Sequence, residues 1–128
     1  DWVLDWDIPD LVILCIGAND AFQGKGVDEI EKNIRTIIER IQSKNIPILF
    51  AGMKAPLNLW SEYGLAYEKI FPKLAKEYNL SYIPFLLKDV ALKWNLNQED
   101  RIHPTASGYT IVANTVYEAL LDNKLIKK

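Results

Sequence analysis

The sequence predicts an α/β fold built on a parallel sheet, and two observations predict it. Short apolar runs closed by Gly or Pro alternate with longer stretches whose apolar residues recur at helical spacing, and this strand-helix order repeats to the end of the chain. Such an alternation forms right-handed crossover units, which lay successive strands side by side in parallel with helices on the sheet faces.

Each element has its own signal. The segment from Asp1 to Asp7, with Trp2, Val3, Leu4 and Trp6, resembles the end of an amphipathic element, and Pro9-Asp10 punctuates the chain after it. Leu11 to Ile16 is short, rich in Val, Ile and Leu, and closed by Gly17, so it reads as a strand buried on both faces. From Asp28 to Asn45, Ile30, Ile34, Ile37, Ile38 and Ile41 mark an amphipathic helix, with Asp28 as candidate N-cap and Glu31 three residues on. Ile46 to Ala51 is the second strand, ended by Gly52, and a loop from Met53 to Gly64 follows.

A second helical pattern runs through Leu65, Tyr67, Ile70, Phe71, Leu74, Ala75 and Tyr78, and Pro72 inside it is expected to kink or divide the helix. Leu80 to Leu86 is the third strand, and Pro84 favours an edge position for it. The last helix is expected from about Thr105 to Leu121, through Tyr109, Val112, Ala113, Val116 and Leu120. Internal repeats, low-complexity tracts and an interdomain linker are not evident.

With 128 residues, 49% hydrophobic and 25% charged, the chain suits one globular domain with one core. Its 15 basic and 17 acidic residues are interspersed at a net charge of -2, which excludes a positive field for nucleic acid. No apolar run approaches the ~20 residues of a membrane-spanning helix, and no signal peptide opens the sequence. The chain starts at Asp1 and its one methionine is Met53, so it reads as a processed chain or a piece of a longer one. The single cysteine, Cys15, leaves the redox compartment open; lying inside a predicted buried strand, it is expected to be an inert structural thiol.

Ligands of open parallel sheets gather beyond the carboxyl ends of the strands. There the first strand runs into Gly17-Ala18-Asn19-Asp20. An Asn amide held at that point can donate to negative charge developing on a carbonyl oxygen, a contribution of roughly 3–4 kcal/mol where such a donor has been removed. The same tetrapeptide also makes an ordinary turn. The second constellation, Asp100-Arg101-Ile102-His103-Pro104, holds the only histidine and precedes the last helix. An imidazole serves as general base near neutral pH, and a carboxylate on its second nitrogen fixes the tautomer. A solvated His beside a helix start is the competing reading. One His without a Cys cluster makes a poor zinc set, so no metal site is expected.

A G-x-N-D turn after a central strand, followed in order by D-x-x-H-P before the terminal helix, resembles blocks III and V of the SGNH hydrolases, also called GDSL esterases. The likeness is greatest to the branch of acyl-CoA thioesterase I, lysophospholipase L1 and arylesterases. It extends through Gly17-Ala18-Asn19-Asp20-Ala21-Phe22-Gln23-Gly24, Pro56-Leu57-Asn58 and Phe71-Pro72-Lys73-Leu74-Ala75-Lys76-Glu77-Tyr78. The resemblance implies a three-layer, flavodoxin-like sheet of order 2-1-3-4-5, of which this chain carries strands 3–5, so that residues 1–128 are the C-terminal portion of one hydrolase domain.

It further implies that Asn19 donates to the oxyanion, His103 activates a serine and Asp100 orients His103, while Gly17 and Asp20 support the turn. The loop from Met53 to Tyr63 resembles the region shaping an acyl pocket, with Pro56, Leu57, Asn58, Leu59 and Trp60 as candidate substrate contacts; packing as a satellite of the core is the equal alternative. The implied substrate is a small acyl ester or thioester, without cofactor, and the compartment implied is periplasmic or extracellular.

One departure from the pattern is large. The family's nucleophile lies in a Gly-Asp-Ser motif, and its second oxyanion donor is a glycine in the following block; both are expected upstream of Asp1. Ser43, Ser61, Ser81 and Ser107 all lack a preceding Gly-Asp. The chain alone is therefore expected to be inactive, and the uncovered edge of its first strand to pair with the missing segment or another chain. A non-catalytic α/β module holding a small ligand, or a gene fragment without a function of its own, are the alternatives.

Overall fold

The computed structural model describes residues 7–17, 23–54, 62–88, 90–91, 93–99 and 103–126. It is an α/β structure with a three-stranded parallel sheet. In chain order the elements are β1 (Val12–Leu14), α1 (Val27–Gln42), β2 (Ile48–Ala51), α2 (Glu62–Glu77), β3 (Ser81–Ile83), a 3-10 turn at Trp94–Leu96 and α3 (Ala106–Asp122). The chain divides into two compact units, residues 1–84 and 85–128.

In the first unit the strand order is β1-β2-β3, with Val12 opposite Ile48, Leu14 opposite Phe50 and Phe50 opposite Tyr82. Because side chains alternate along a strand, this register sets Val12, Leu14, Ile48, Phe50 and Tyr82 on one face. Leu14, Ile48 and Phe50 belong to the same buried cluster as Ile30, Ile34, Ile38 and Ile41 of α1 and Tyr67, Ile70, Phe71, Leu74 and Ala75 of α2, and the half-buried Val12 and Tyr82 pack against it. Both helices thus cover one face of the sheet. Phe71 is the hinge of the aromatic packing, 5.6 Å from Phe50 and edge-on to Tyr67 at 5.3 Å between ring centroids. Each Ile or Leu fully buried in such a cluster contributes about 1.5–3 kcal/mol relative to exposure.

Several local expectations are corrected. The run Leu11 to Ile16 is not a strand buried on both faces: β1 covers Val12–Leu14, and Ile13, pointing away from the α1/α2 face, is 46% exposed. Its central neighbour β2 is the strand buried at every residue. Cys15 lies past the end of β1 and is exposed, although surrounding atoms desolvate its thiol enough to raise its pKa. Asp28 does not cap α1; the helix begins one residue before it, with Gly26 as N-cap, and Asp28 and Glu29 instead sit in the first turn facing the positive end of the helix dipole.

Pro72 does not divide α2, which runs unbroken through it. Pro72 itself is exposed, while Tyr67, Ile70, Phe71, Leu74 and Ala75 on either side of it all enter the core. Burial on both sides outweighs the one backbone hydrogen bond that proline removes. The helix ends with Asn79 at φ 53°, where Leu80 N–H bonds to Ala75 O at 2.8 Å and Asn79 N–H to Lys76 O at 3.3 Å, a left-handed C-terminal cap. β3 stops at Ile83, before Pro84, rather than continuing to Leu86.

In the second unit, α3 opens on Thr105, whose hydroxyl accepts from Gly108 N–H at 3.2 Å. Gly108 and Thr115 are its buried residues, and Tyr109 and Tyr117 are exposed.

Candidate functional site

The carboxyl ends of the strands hold the first candidate residues, all within residues 1–84. Gly17 follows β1 with φ +104°, a backbone conformation that L side chains rarely adopt. A Cβ there would approach Ile34 Cδ1 to 3.3 Å and Phe71 Cζ to 3.7 Å. Gly17 is therefore required twice, by its dihedral and by the close packing of α1 and α2 beneath the turn. Gly52 after β2 is required by packing alone: its N–H donates to Ile83 O at 2.7 Å, and an added Cβ would collide with the Pro84 carbonyl and the Tyr82 hydroxyl. Asn19 and Asp20, expected in the turn after Gly17, lie outside the described residues, as do Pro56, Leu57, Asn58, Leu59 and Trp60.

His103 lies in the second unit, exposed and two residues before the N-cap of α3. Its main chain is tied to the segment before it. The His103 carbonyl accepts from Gln98 N–H at 2.8 Å, Thr105 N–H donates to Leu96 O at 2.8 Å, and Asn97 forms an antiparallel bridge with Pro104. Pro104 further restricts His103 to extended backbone. Gly108 completes the clasp by close approach, since a Cβ there would collide with the Leu96 carbonyl and lie 2.8 Å from Pro104 Cβ. Asp100, expected to orient His103, lies outside the described residues.

The sequence reading missed Asn97 and Gln98. Asn97 is buried, and both hydrogens of its amide are used, on Val90 O and Lys93 O, each at 2.8 Å. Gln98 donates its side-chain amide to Pro104 O at 3.2 Å. None of these contacts has a signal in the one-dimensional pattern, because all three acceptors are main-chain carbonyls. Among the described residues there is no group of three or more His, Cys, Asp or Glu that could hold a metal ion, and no helix is long and apolar enough to cross a membrane.

The sequence profile of the GDSL-like lipase/acylhydrolase family matches residues 2–111. The chain is similar to thioesterase 1/protease 1/lysophospholipase L1 of Escherichia coli K12, at 30% identity over 112 residues, which is 88% of this chain and 54% of that protein. It is also similar to the arylesterase of Vibrio mimicus, at 29% identity over 119 residues, 93% of this chain and 60% of that one. Among solved structures, AlinE4, an SGNH-hydrolase family esterase, superposes with a TM-score of 0.74 at 36% identity, covering 95% of this chain and 66% of AlinE4. The chain thus spans about half the length of the Escherichia coli relative, 54%.

Proposed function

Because the chain belongs to the GDSL-like lipase/acylhydrolase family, we propose that residues 1–128 form the C-terminal portion of a single hydrolase domain that cleaves small carboxylic esters or thioesters through a serine, His103 and Asp100. What supports the reading is the setting of His103: the only imidazole of the chain is exposed, its carbonyl held by Gln98 N–H, shortly ahead of a capped helix. A base that must reach a nucleophile gains from such restraint, because reactive geometry fixed in advance lowers the entropic part of the barrier.

In this mechanism His103 takes the proton of the serine hydroxyl as the oxygen attacks the acyl carbon. It returns that proton to the leaving alcohol or thiol, then deprotonates the water that releases the acyl group. Asp100 holds the imidazole in the required tautomer, and Asn19 donates to the oxyanion, with Gly17 and Asp20 shaping the turn that carries it. Pro56, Leu57, Asn58, Leu59 and Trp60 line the acyl site. The serine comes from a segment outside these 128 residues, which hold no Gly-Asp-Ser; that segment, or another chain, also covers the free edge of β1.

The test is hydrolysis of a short-chain p-nitrophenyl ester by the 128-residue chain and by a polypeptide extended upstream through a Gly-Asp-Ser segment, each with and without His103→Ala. Activity in the extended form alone, abolished by His103→Ala, is the expected result. Turnover by the short chain that depends on His103 would overturn the assignment of the nucleophile. Silence of both forms would favour a ligand-binding module instead.

A further inference from the structure

We infer that Asn97 is a positioning residue for His103, acting through the main chain of residues 90–98, and that Gln98 transmits the restraint. The inference rests on the reading of His103 as the base.

The geometry forms a continuous chain of contacts. The Asn97 amide has two hydrogens and spends both on carbonyls of the preceding turns, Val90 O and Lys93 O. Those turns are closed by their own bonds, Val90 N–H to Leu87 O at 3.0 Å, Lys93 N–H to Val90 O at 3.2 Å and Leu96 N–H to Lys93 O at 3.0 Å. The carbonyls that Asn97 ties together thus belong to two successive turns, and its side chain locks one against the other.

The main chain of the same residue is the centre of the bridge to Pro104. The two hydrogen bonds that make the bridge come from its neighbours: Leu96 O accepts from Thr105 N–H, and Gln98 N–H donates to the carbonyl of His103 itself. Asn97 therefore holds the preceding turns with its side chain, while the residues on either side of it, Leu96 and Gln98, hold the strand-like segment on which His103 sits. The Gln98 amide adds a bond to Pro104 O at 3.2 Å, so consecutive carbonyls, at 103 and 104, are both held by Gln98.

Burial gives the arrangement its rigidity. Asn97 is 8% exposed and Val90 0%, so water is a poor substitute for the amide. Gly108 admits the Leu96 carbonyl where any side chain would collide, which keeps the bridge flush against the first turn of α3. His103 and Gln98 are exposed while Asn97, Pro104 and Gly108 are buried, so a reactive group is presented from a frame fixed at its base.

Asn97→Asp keeps the size of the side chain and removes both donors; Gln98→Ala is the milder variant that leaves every main-chain bond in place. Two readouts apply, each on variants whose circular dichroism matches the parent. In the 128-residue chain, carbethoxylation of its one imidazole by diethyl pyrocarbonate, located by peptide mass spectrometry, gives the rate and pH profile of His103 directly. In the extended, serine-bearing polypeptide, ester hydrolysis gives kcat and KM.

The expected result is a changed carbethoxylation rate and pH profile in both variants. In Asn97→Asp kcat falls by about ten- to a hundredfold with KM nearly constant, the signature of a displaced base rather than a lost binding contact. Asn97→Gln, which restores donors, recovers part of the loss. If folded Asn97→Asp and Gln98→Ala both leave the imidazole profile and kcat unchanged while His103→Ala abolishes turnover, the positioning role is wrong and the esterase reading stands. If His103→Ala leaves turnover intact, it is the esterase reading that fails.

Discussion

At Gly17 two separate physical terms act on one residue. Its φ of +104° disfavours any side chain, and the space a Cβ would take is bounded by Ile34 Cδ1 at 3.3 Å. Gly24 isolates the first term, since its φ is +72° and nothing lies within 4 Å of the Cβ position. Gly24→Ala is therefore expected to lose about 1–2 kcal/mol, the ordinary left-handed penalty. Gly17→Ala is expected to lose more, toward ~3 kcal/mol, because a strained dihedral and a tight core contact add. Urea unfolding of the two variants beside the parent measures the difference, and equal losses would remove the packing argument. The loss belongs to stability; if Gly17 also shapes the turn that bears Asn19, Gly17→Ala lowers kcat in the extended polypeptide as well.

At the scale of elements, α1 and α2 are joined on their exposed sides by a network rather than by isolated pairs. Lys73 reaches Glu31 at 3.0 Å, Arg35 bonds to Glu31 at 3.1 Å and also to Glu77, and the Tyr78 hydroxyl accepts from Arg35 at 3.2 Å and donates to Glu39 at 2.6 Å. The hydrogen bond from Lys73, followed by that from Arg35, holds the Glu31 carboxyl below its ordinary pKa against the opposing effect of desolvation. A depressed carboxylate pKa stabilises the folded state above the unfolded-state value, ~4.3, and the contribution fades as pH falls toward the lower folded value. Glu31→Gln is thus expected to cost about 1 kcal/mol or less near neutral pH. That difference from the parent shrinks as pH falls below the unfolded-state value toward the lower folded one, and as salt is raised. A loss that does not change with pH would mean that Glu31 acts by packing alone.

The same elements show what the sequence made legible. The helices were readable because Ile30, Ile34, Ile38 and Ile41 repeat with the helical period and bury as one stripe, and the strands because their runs are short and apolar. Pro72 misled because local preference was outweighed by packing that only the folded chain contains, whereas Asp28 was misplaced by two positions at the start of α1. Of the candidate site, Gly17 and His103 were legible as motif residues, since a glycine closing a strand and a lone histidine before a helix both stand out. Asn97 was not, because its role is defined by the carbonyls of Val90 and Lys93, which no side-chain pattern encodes.

At the scale of the whole molecule, the sheet itself sets the behaviour of this polypeptide in solution. Among the described residues β1 pairs with β2 along one edge, and no strand lies along the other. On that strand Ile13 is 46% exposed. A parallel strand with unpaired N–H and C=O groups and an apolar side chain exposed beside them is a template for another strand. The 128-residue chain is therefore expected to self-associate, its sedimentation coefficient rising with concentration. Ile13→Lys puts a charge on the exposed face of the edge strand, where it reaches water in the monomer but is buried when a second chain docks. It is expected to move the distribution toward monomer without changing the circular dichroism, whereas Ile37→Lys, on the exposed side of α1, leaves the association unchanged. If instead the edge is not the route of association, both lysines act alike through net charge; and a parent chain that is monodisperse at all concentrations means that the edge of β1 is already protected.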